Sequence, residues 1–268
     1  MTRNWLYCRL SGQAWADQGA ALTPRLPAAV AGALAPVLNG RAGHWFFHPL
    51  REASGTPGTE LWLDADASIT QDVLTALLAE ADRTGSRMFH RYEERAAAFT
   101  DELSMRSSAF ALAVAEAGGL PVADRLTLAV LHLRHVAALV PSADRAAFLF
   151  LCWQHWAAGI DPDQRLALGR RATADGAALL ELATALPVSL VGGRRTADTW
   201  RGYLRTLDTA VSDQEVSCEL PGTYLLFEHA HLTHRRLGIS REAEALAALV
   251  LRTAPESAFL TTPVLQRV

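Results

Sequence analysis

No lysine occurs anywhere in this chain; all 25 of its basic residues are arginines. That absence removes every chemistry that needs a lysine amine: a Schiff base with a carbonyl substrate, a covalently held pyridoxal phosphate, or a Walker-type phosphate loop. A GC-rich genome is the simplest origin of the bias, and of the alanine excess. Cysteine is scarce: Cys8, Cys152 and Cys218 are an odd number without paired spacing, which suggests reduced thiols, and buried structural cysteine is favoured over a nucleophile for each. No apolar run reaches membrane-spanning length without a charge or proline, and the start, Met-Thr-Arg-Asn-Trp, lacks the apolar stretch of a secretory signal. The expectation is a soluble cytoplasmic protein that meets no membrane. Net charge is −3 and the pI is about 6.3, which argues against a general nucleic-acid binder. There is no Gly-x-Ser-x-Gly and no cysteine in an activating context, which makes a hydrolase the least favoured class.

What is present is the composition of a globular protein. Half of the 268 residues are hydrophobic and a fifth are charged. The first third alternates strand and helix patterns. Trp5–Leu10, His44–Leu50, Glu60–Asp64 and Arg87–Tyr92 read as strands, and Ser68–Ala81 has helical spacing at Ile69, Val73, Leu74, Leu77 and Leu78. Thr23-Pro24 opens an alanine-rich helix that runs to about Leu38. The order β-α-β-β-α-β is ferredoxin-like. From Asp101 onward the pattern is helical, with helices at 101–117, 121–139, 142–158, 161–184, 196–210 and 239–253. The fold class expected is α+β. One domain spans 1–268, with a sheet-containing part (1–95) and a helical part (96–268) sharing a core.

The densest chemistry lies in Glu228–Gly238, where three histidines, a carboxylate and two arginines fall within eleven residues. Histidine suits proton transfer near neutral pH. On a helix, His231 and His234 share a face and His229 projects from another side. No His-Glu-x-x-His and no cysteine pair completes a zinc set, so no metal is expected. His132 and His135, on an apolar helix, read as structural. Arg91-Tyr92-Glu93-Glu94-Arg95 is either a solvated strand end or a proton donor flanked by charge. Gly192-Gly193-Arg194-Arg195 is a flexible basic loop: either a linker or a contact for acidic peptide.

These segments resemble a known family. His231-Leu-Thr-His-Arg-Arg-Leu-Gly238 is similar to the C-terminal signature of the elimination domain of lanthipeptide dehydratases. It is closer still to the His-Leu-Thr-His-Asn-Arg-Leu-Gly of the stand-alone pyridine synthases of thiopeptide clusters. Trp45-Phe46-Phe47 resembles the family's Trp-Phe-Ile strand, and Tyr92–Phe99 falls where the family has Tyr-x-x-Glu-x-x-Arg-Tyr. Two departures stand out. Where elimination domains carry a His-Leu-Arg-Leu-Arg strand, this chain has Thr59-Glu60-Leu61-Trp62-Leu63, and the arginine after the tyrosine motif falls near Ala98. Those arginines are thought to hold the glutamyl ester.

The resemblance implies a cofactor-independent cyclase. Two dehydroalanines of a modified precursor peptide undergo a formal aza-[4+2] cycloaddition, and loss of water and of the leader peptide then leaves a pyridine. It implies His231 and Tyr92 as the proton-transfer pair, with Glu94 and Glu228 as lesser candidates. The arginines proposed to hold substrate or an acidic leader are Arg91, Arg194, Arg195, Arg235 and Arg236. The implied partner is the precursor peptide, with contact to other enzymes of the cluster. The alternatives are a glutamate-eliminating lyase of a split dehydratase and a non-catalytic leader-binding scaffold.

Overall fold

The structure, a computed structural model, describes residues 2–12, 28–38, 43–51, 55–96, 99–185, 193–212 and 222–260. Thr23, Pro24, Ala98, Gly192 and Cys218 lie outside them.

Strands β1 (Thr2–Ser11), β2 (His44–Arg51), β3 (Pro57–Asp64) and β4 (Arg87–Ala96) form one antiparallel sheet in the order β2-β3-β1-β4. Helices α1 (Ala28–Leu38) and α2 (Ala67–Thr84) follow β1 and β3, completing the ferredoxin-like order. The period-two alternation of each strand divides the sheet into two unlike faces. Leu6, Cys8, Leu10, Trp45, Phe47, Leu61 and Leu63 fall on one face and are buried in the core with Leu34 of α1 and Val73 and Leu77 of α2. The opposite face carries Trp5, Tyr7, Phe46, Glu60, Trp62 and Arg95, an aromatic and charged surface. At the end of α2, Gly85 takes a left-handed φ of 64°, and the Ser86 amide donates back to the Ala81 carbonyl at 2.9 Å. This Schellman closure turns the chain into β4.

The helical part comprises α3 (Phe99–Glu116), α4 (Val122–Ala138), α5 (Ser142–Ala157), α6 (Pro162–Ala185), α7 (Gly193–Ser212), α8 (Gly222–Arg236), α9 (Arg241–Arg252) and the short α10 (Ser257–Leu260). Prolines punctuate it as the pattern predicts: Pro121 and Pro141 precede α4 and α5, and Pro162 opens α6. Ser240 caps α9 by accepting from the Ala243 amide at 3.3 Å.

Two readings change. Gly193-Arg194-Arg195 is the first turn of α7 rather than a flexible loop, because Thr196 is buried there against the Ala113 carbonyl of α3. The segment 222–236, absent from the predicted helices, is α8, whose apolar residues Leu225, Leu226 and Ala230 are buried. One buried cluster runs from the sheet through α9.

The two sheet edges are treated differently. At β2 the helices close the edge. The Phe47 amide donates to Ser108 Oγ (3.2 Å), its carbonyl accepts from Arg236 Nε (2.8 Å), and the Pro49 carbonyl accepts from Arg235 Nη2 (2.5 Å). At β4, Phe89 and Tyr92 are each half exposed.

Candidate functional site

Two polar assemblies meet α8 from opposite sides. The first is an open cleft of about 460 Å³ between the aromatic sheet face, the start of α3 and α8. Its floor is Phe46 stacked on Trp62, with ring centroids 6.1 Å apart and planes 23° apart. The Arg95 guanidinium lies 5.0 Å over Trp62 and 5.0 Å over Trp5, and it is ion-paired with the buried Asp101 of α3. Stacking on two indoles holds a cation flat against the floor while Asp101 offsets its charge. His48 and Glu60 come from β2 and β3, and Glu228, His229 and Leu232 from one side of α8.

His229 is the anomaly of this cleft. Its side chain is buried and, among the described residues, its Nδ1 has no hydrogen-bond partner. A buried polar atom without a partner is rare and costs about 1–3 kcal/mol. Burial, with Arg236 nearby, pushes the His229 imidazole down to about 3. His48 is likewise held well below the usual histidine range by burial and then by Arg236 and Arg235. The cleft therefore presents two neutral imidazoles at neutral pH. The tautomer that leaves an acceptor rather than a donor unpaired at His229 Nδ1 places the proton on Nε2.

The second assembly is buried between α8, α9, α4 and α7. Glu244 of α9 is fully buried and receives His231 Nδ1 at 3.0 and 3.1 Å and His234 Nδ1 at 3.1 Å. Burial works to raise its carboxyl, but the hydrogen bonds from His231 and His234 outweigh burial and hold it below the usual carboxylate range. The other ring nitrogen of His234, Nε2, lies 3.0 Å from His132 Nδ1. His132, held neutral by complete burial, has its Nε2 3.2 Å from the Tyr203 hydroxyl. Thr233 bonds Tyr203 at 2.9 Å, Ser107 bonds Thr233 at 2.8 Å, and Arg236 Nη1 donates to Ser107 at 3.2 Å. Arg236 Nη2 reaches His48 Nδ1 at 3.1 Å, at the wall of the cleft. The spine connects the buried Arg236 to the buried Glu244, with the Thr233 hydroxyl shared between Tyr203 and the His229 carbonyl at 2.7 Å. The two charges never touch, yet each is fully engaged. Burial pulls Arg236 down to about 9, which still leaves it charged at neutral pH.

The residues proposed from sequence are divided between these places. Glu228 lines the cleft. His231 sits on the other side of α8, held by Glu244 and stacked near Trp156. Tyr92 is paired with Leu6 and so lies on the opposite sheet face from Trp62 and Arg95; Glu94, paired with Asn4, shares that face. Both are exposed. The structure therefore does not bring Tyr92 and His231 together. Arg236 is buried and its donors are committed, and Arg235 caps the β2 edge, so neither forms a basic surface. Arg194 and Arg195 are exposed on α7, ion-paired with Asp198 at 3.9 Å and Glu116 at 2.6 Å. Arg91 is exposed beside Glu93.

Sequence reasoning passed over Glu244, Tyr203 and the cleft role of His229. A usable signal existed for Glu244: it sits in phase with Ala247, Ala248 and Leu251 on the apolar stripe of α9, where a carboxylate needs a partner. Cys8 and Cys152 are buried, and burial pushes the Cys8 thiol up to about 12. Among the described residues no group of three His, Cys, Asp or Glu is arranged to hold a metal ion. No helix among them is long and apolar enough to cross a membrane.

Residues 5–254 match the family described as lantibiotic biosynthesis dehydratase C-term. The fold is similar to the crystal structure of the tRNA dependent lantibiotic dehydratase MibB from Microbispora sp. 107891, with 18% identity and a TM-score of 0.50. The match covers 92% of this chain and 28% of that one, so the chain spans little more than a quarter of its relative. No curated protein matches this chain.

Proposed function

We propose that this chain, which belongs to the lantibiotic biosynthesis dehydratase C-terminal family, is a pyridine synthase acting on a dehydrated, azole-bearing precursor peptide. The observation that supports this is the outward face of β3. Glu60 and Trp62 stand on the cleft floor, in the strand where the resemblance implies arginines for an elimination enzyme. A carboxylate and an indole repel a glutamyl carboxylate rather than grip it. Stacked Phe46 and Trp62 rings suit flat azoles and conjugated dehydroamino acids.

The reaction needs two distant alkenes held together, and a cleft that loops the peptide supplies this as effective molarity, worth about 7–11 kcal/mol in good cases. It also needs one amide in its imidic-acid tautomer. Neutral His229 is suited to donate from Nε2 to that amide's carbonyl oxygen, while the neighbouring Glu228 carboxylate accepts the amide proton. His231 acts at one remove: through Glu244 it fixes the rotation of α8 and so the aim of Glu228 and His229. Tyr92 and Glu94 contact the peptide at the β4 edge rather than the reacting atoms.

The test is mass spectrometry after mixing the protein with a dehydrated, azole-bearing precursor. Ring closure shows as loss of water plus release of the leader as an intact carboxamide; recovery of unchanged precursor would sink the proposal. A second reading, a glutamate-eliminating lyase, is favoured by the family match and by Arg95 in the cleft. It requires that a glutamylated peptide release glutamate.

A further inference from the structure

The aromatic sheet face has a second hollow, of about 520 Å³, toward the start of β4. Three arginines, Arg9, Arg87 and Arg91, line it together with Tyr7 and Phe89; among the described residues no carboxylate lines it, although Glu93 beside it is ion-paired with Arg91. Phe89 is 51% exposed, a large aromatic surface left in water. Arg91 lies 5.1 Å over the Tyr7 ring and 5.8 Å over the Phe89 ring, so its guanidinium faces the hollow on an aromatic bed. The strand order places β4 at the sheet's end, with β1 on its one paired side among the described residues.

We propose that this groove docks an extended acidic segment of the substrate peptide, lying along the outer side of β4. Three features select that occupant. Guanidinium forks bind carboxylates bidentately, and the charged side chains that line the groove are all arginines, so an acidic segment has only Glu93 to displace from Arg91. An unpaired strand edge offers main-chain hydrogen bonds to an extended peptide. Alternate side chains of that peptide would then reach Phe89 and the arginines, which share one face of the sheet.

The groove is also placed to serve the cleft. The Tyr7 hydroxyl donates to Glu60 Oε1 at 2.6 Å; Tyr7 lines the groove and Glu60 lines the cleft, so the two hollows share a wall. A peptide anchored in the groove presents its distal part to the cleft at high effective concentration. The role of the groove as an anchor rests on the reading of the chain as a peptide-modifying enzyme; its preference for acidic peptide does not.

The experiment is fluorescence anisotropy on the full chain. The probe is a labelled peptide alternating glutamate and threonine, long enough to run the length of β4. Its lysine counterpart and a single-stranded oligonucleotide of equal length are the comparisons. The expected result is binding of the glutamate peptide that weakens with salt, and that falls about tenfold or more in the Arg87→Glu, Arg91→Glu double variant. Arg171→Glu, on the exposed side of α6, should leave it unchanged. Circular dichroism melts confirm that the variants are folded. No binding, equal binding by the double variant, or preference for the oligonucleotide overturns the proposal. The assay needs no turnover, so the pyridine-synthase reading can fail while docking stands. Conversely, ring closure by the double variant with an unaltered KM would retain the reading and remove the groove.

Discussion

Helix α8 carries three histidines, and its two sides put them to opposite uses. On the core side Nδ1 of His231 and of His234 bonds a buried carboxylate, and His234 Nε2 meets His132. On the cleft side His229 is also buried, yet among the described residues one of its nitrogens has no partner. A side chain that is fully satisfied rigidifies a fold; one with an orphan nitrogen costs stability instead. Residue type alone would have ranked all three alike.

The largest expected effect lies on the core side. Glu244→Ala leaves two histidines and the head of the spine without an acceptor, and breaking such a buried arrangement costs about 3–5 kcal/mol. Urea denaturation should show most of the chain's stability lost. A change under 1 kcal/mol would mean the spine is incidental. On the cleft side the contrast should reverse. His229→Phe fills the same space without an orphan nitrogen, so stability should hold or rise, while ring closure measured by mass spectrometry falls about 10²–10⁴-fold. Loss of both together would erase the distinction between the two sides.

Acid provides a subtler probe. His229, His132 and His48 have folded pKa values below the unfolded value of about 6.5. For such groups the unfolded chain takes up protons first, so their contribution is full above about pH 6.5 and is lost as pH falls toward the folded values. Thermal melts should therefore decline steadily from pH 7 to pH 4. His229→Phe should shallow that slope by up to about 1.4 kcal/mol per pH unit, since its folded value is about 3. Glu244 acts in the same sense at lower pH, because its lowered folded pKa makes its contribution disappear as pH falls below the ordinary carboxylate value. The smallest effect expected is at the cleft floor. Trp62→Leu removes one of the rings under Arg95, worth about 0.5–2 kcal/mol of stability, and should show chiefly as weaker peptide affinity in a titration.

Much of the fold could be read from local pattern. The strand alternation in β1 and β3, the prolines before α4 and α5 and at the start of α6, and the glycine after α2 are decided by neighbours in sequence. Helix α8 was obscured because histidine and arginine occupy positions that a hydrophobic pattern would fill. The site was less legible for a related reason. Its spine joins residues from Ser107 to Glu244, and what makes Glu244 significant is the pair of histidines brought to it by α8, not any motif around it. The cleft's identity likewise depends on which strand face is left open, which β1 and β3 alone do not declare, since both faces carry large aromatic or apolar side chains.

The arginine clasp on β2 has a consequence for how the chain comes to be folded. Arg235 and Arg236 reach back 186 and 189 residues to hold the carbonyls of Pro49 and Phe47. The first third of the chain carries a strand edge whose Phe47 amide α3 takes up and whose Phe47 and Pro49 carbonyls wait for α8. Until α8 is made, that edge is a site for adhesion to other chains. Contacts this remote in sequence also slow closure of the whole fold. A truncation just before Arg235 should therefore yield aggregates rather than a smaller soluble sheet.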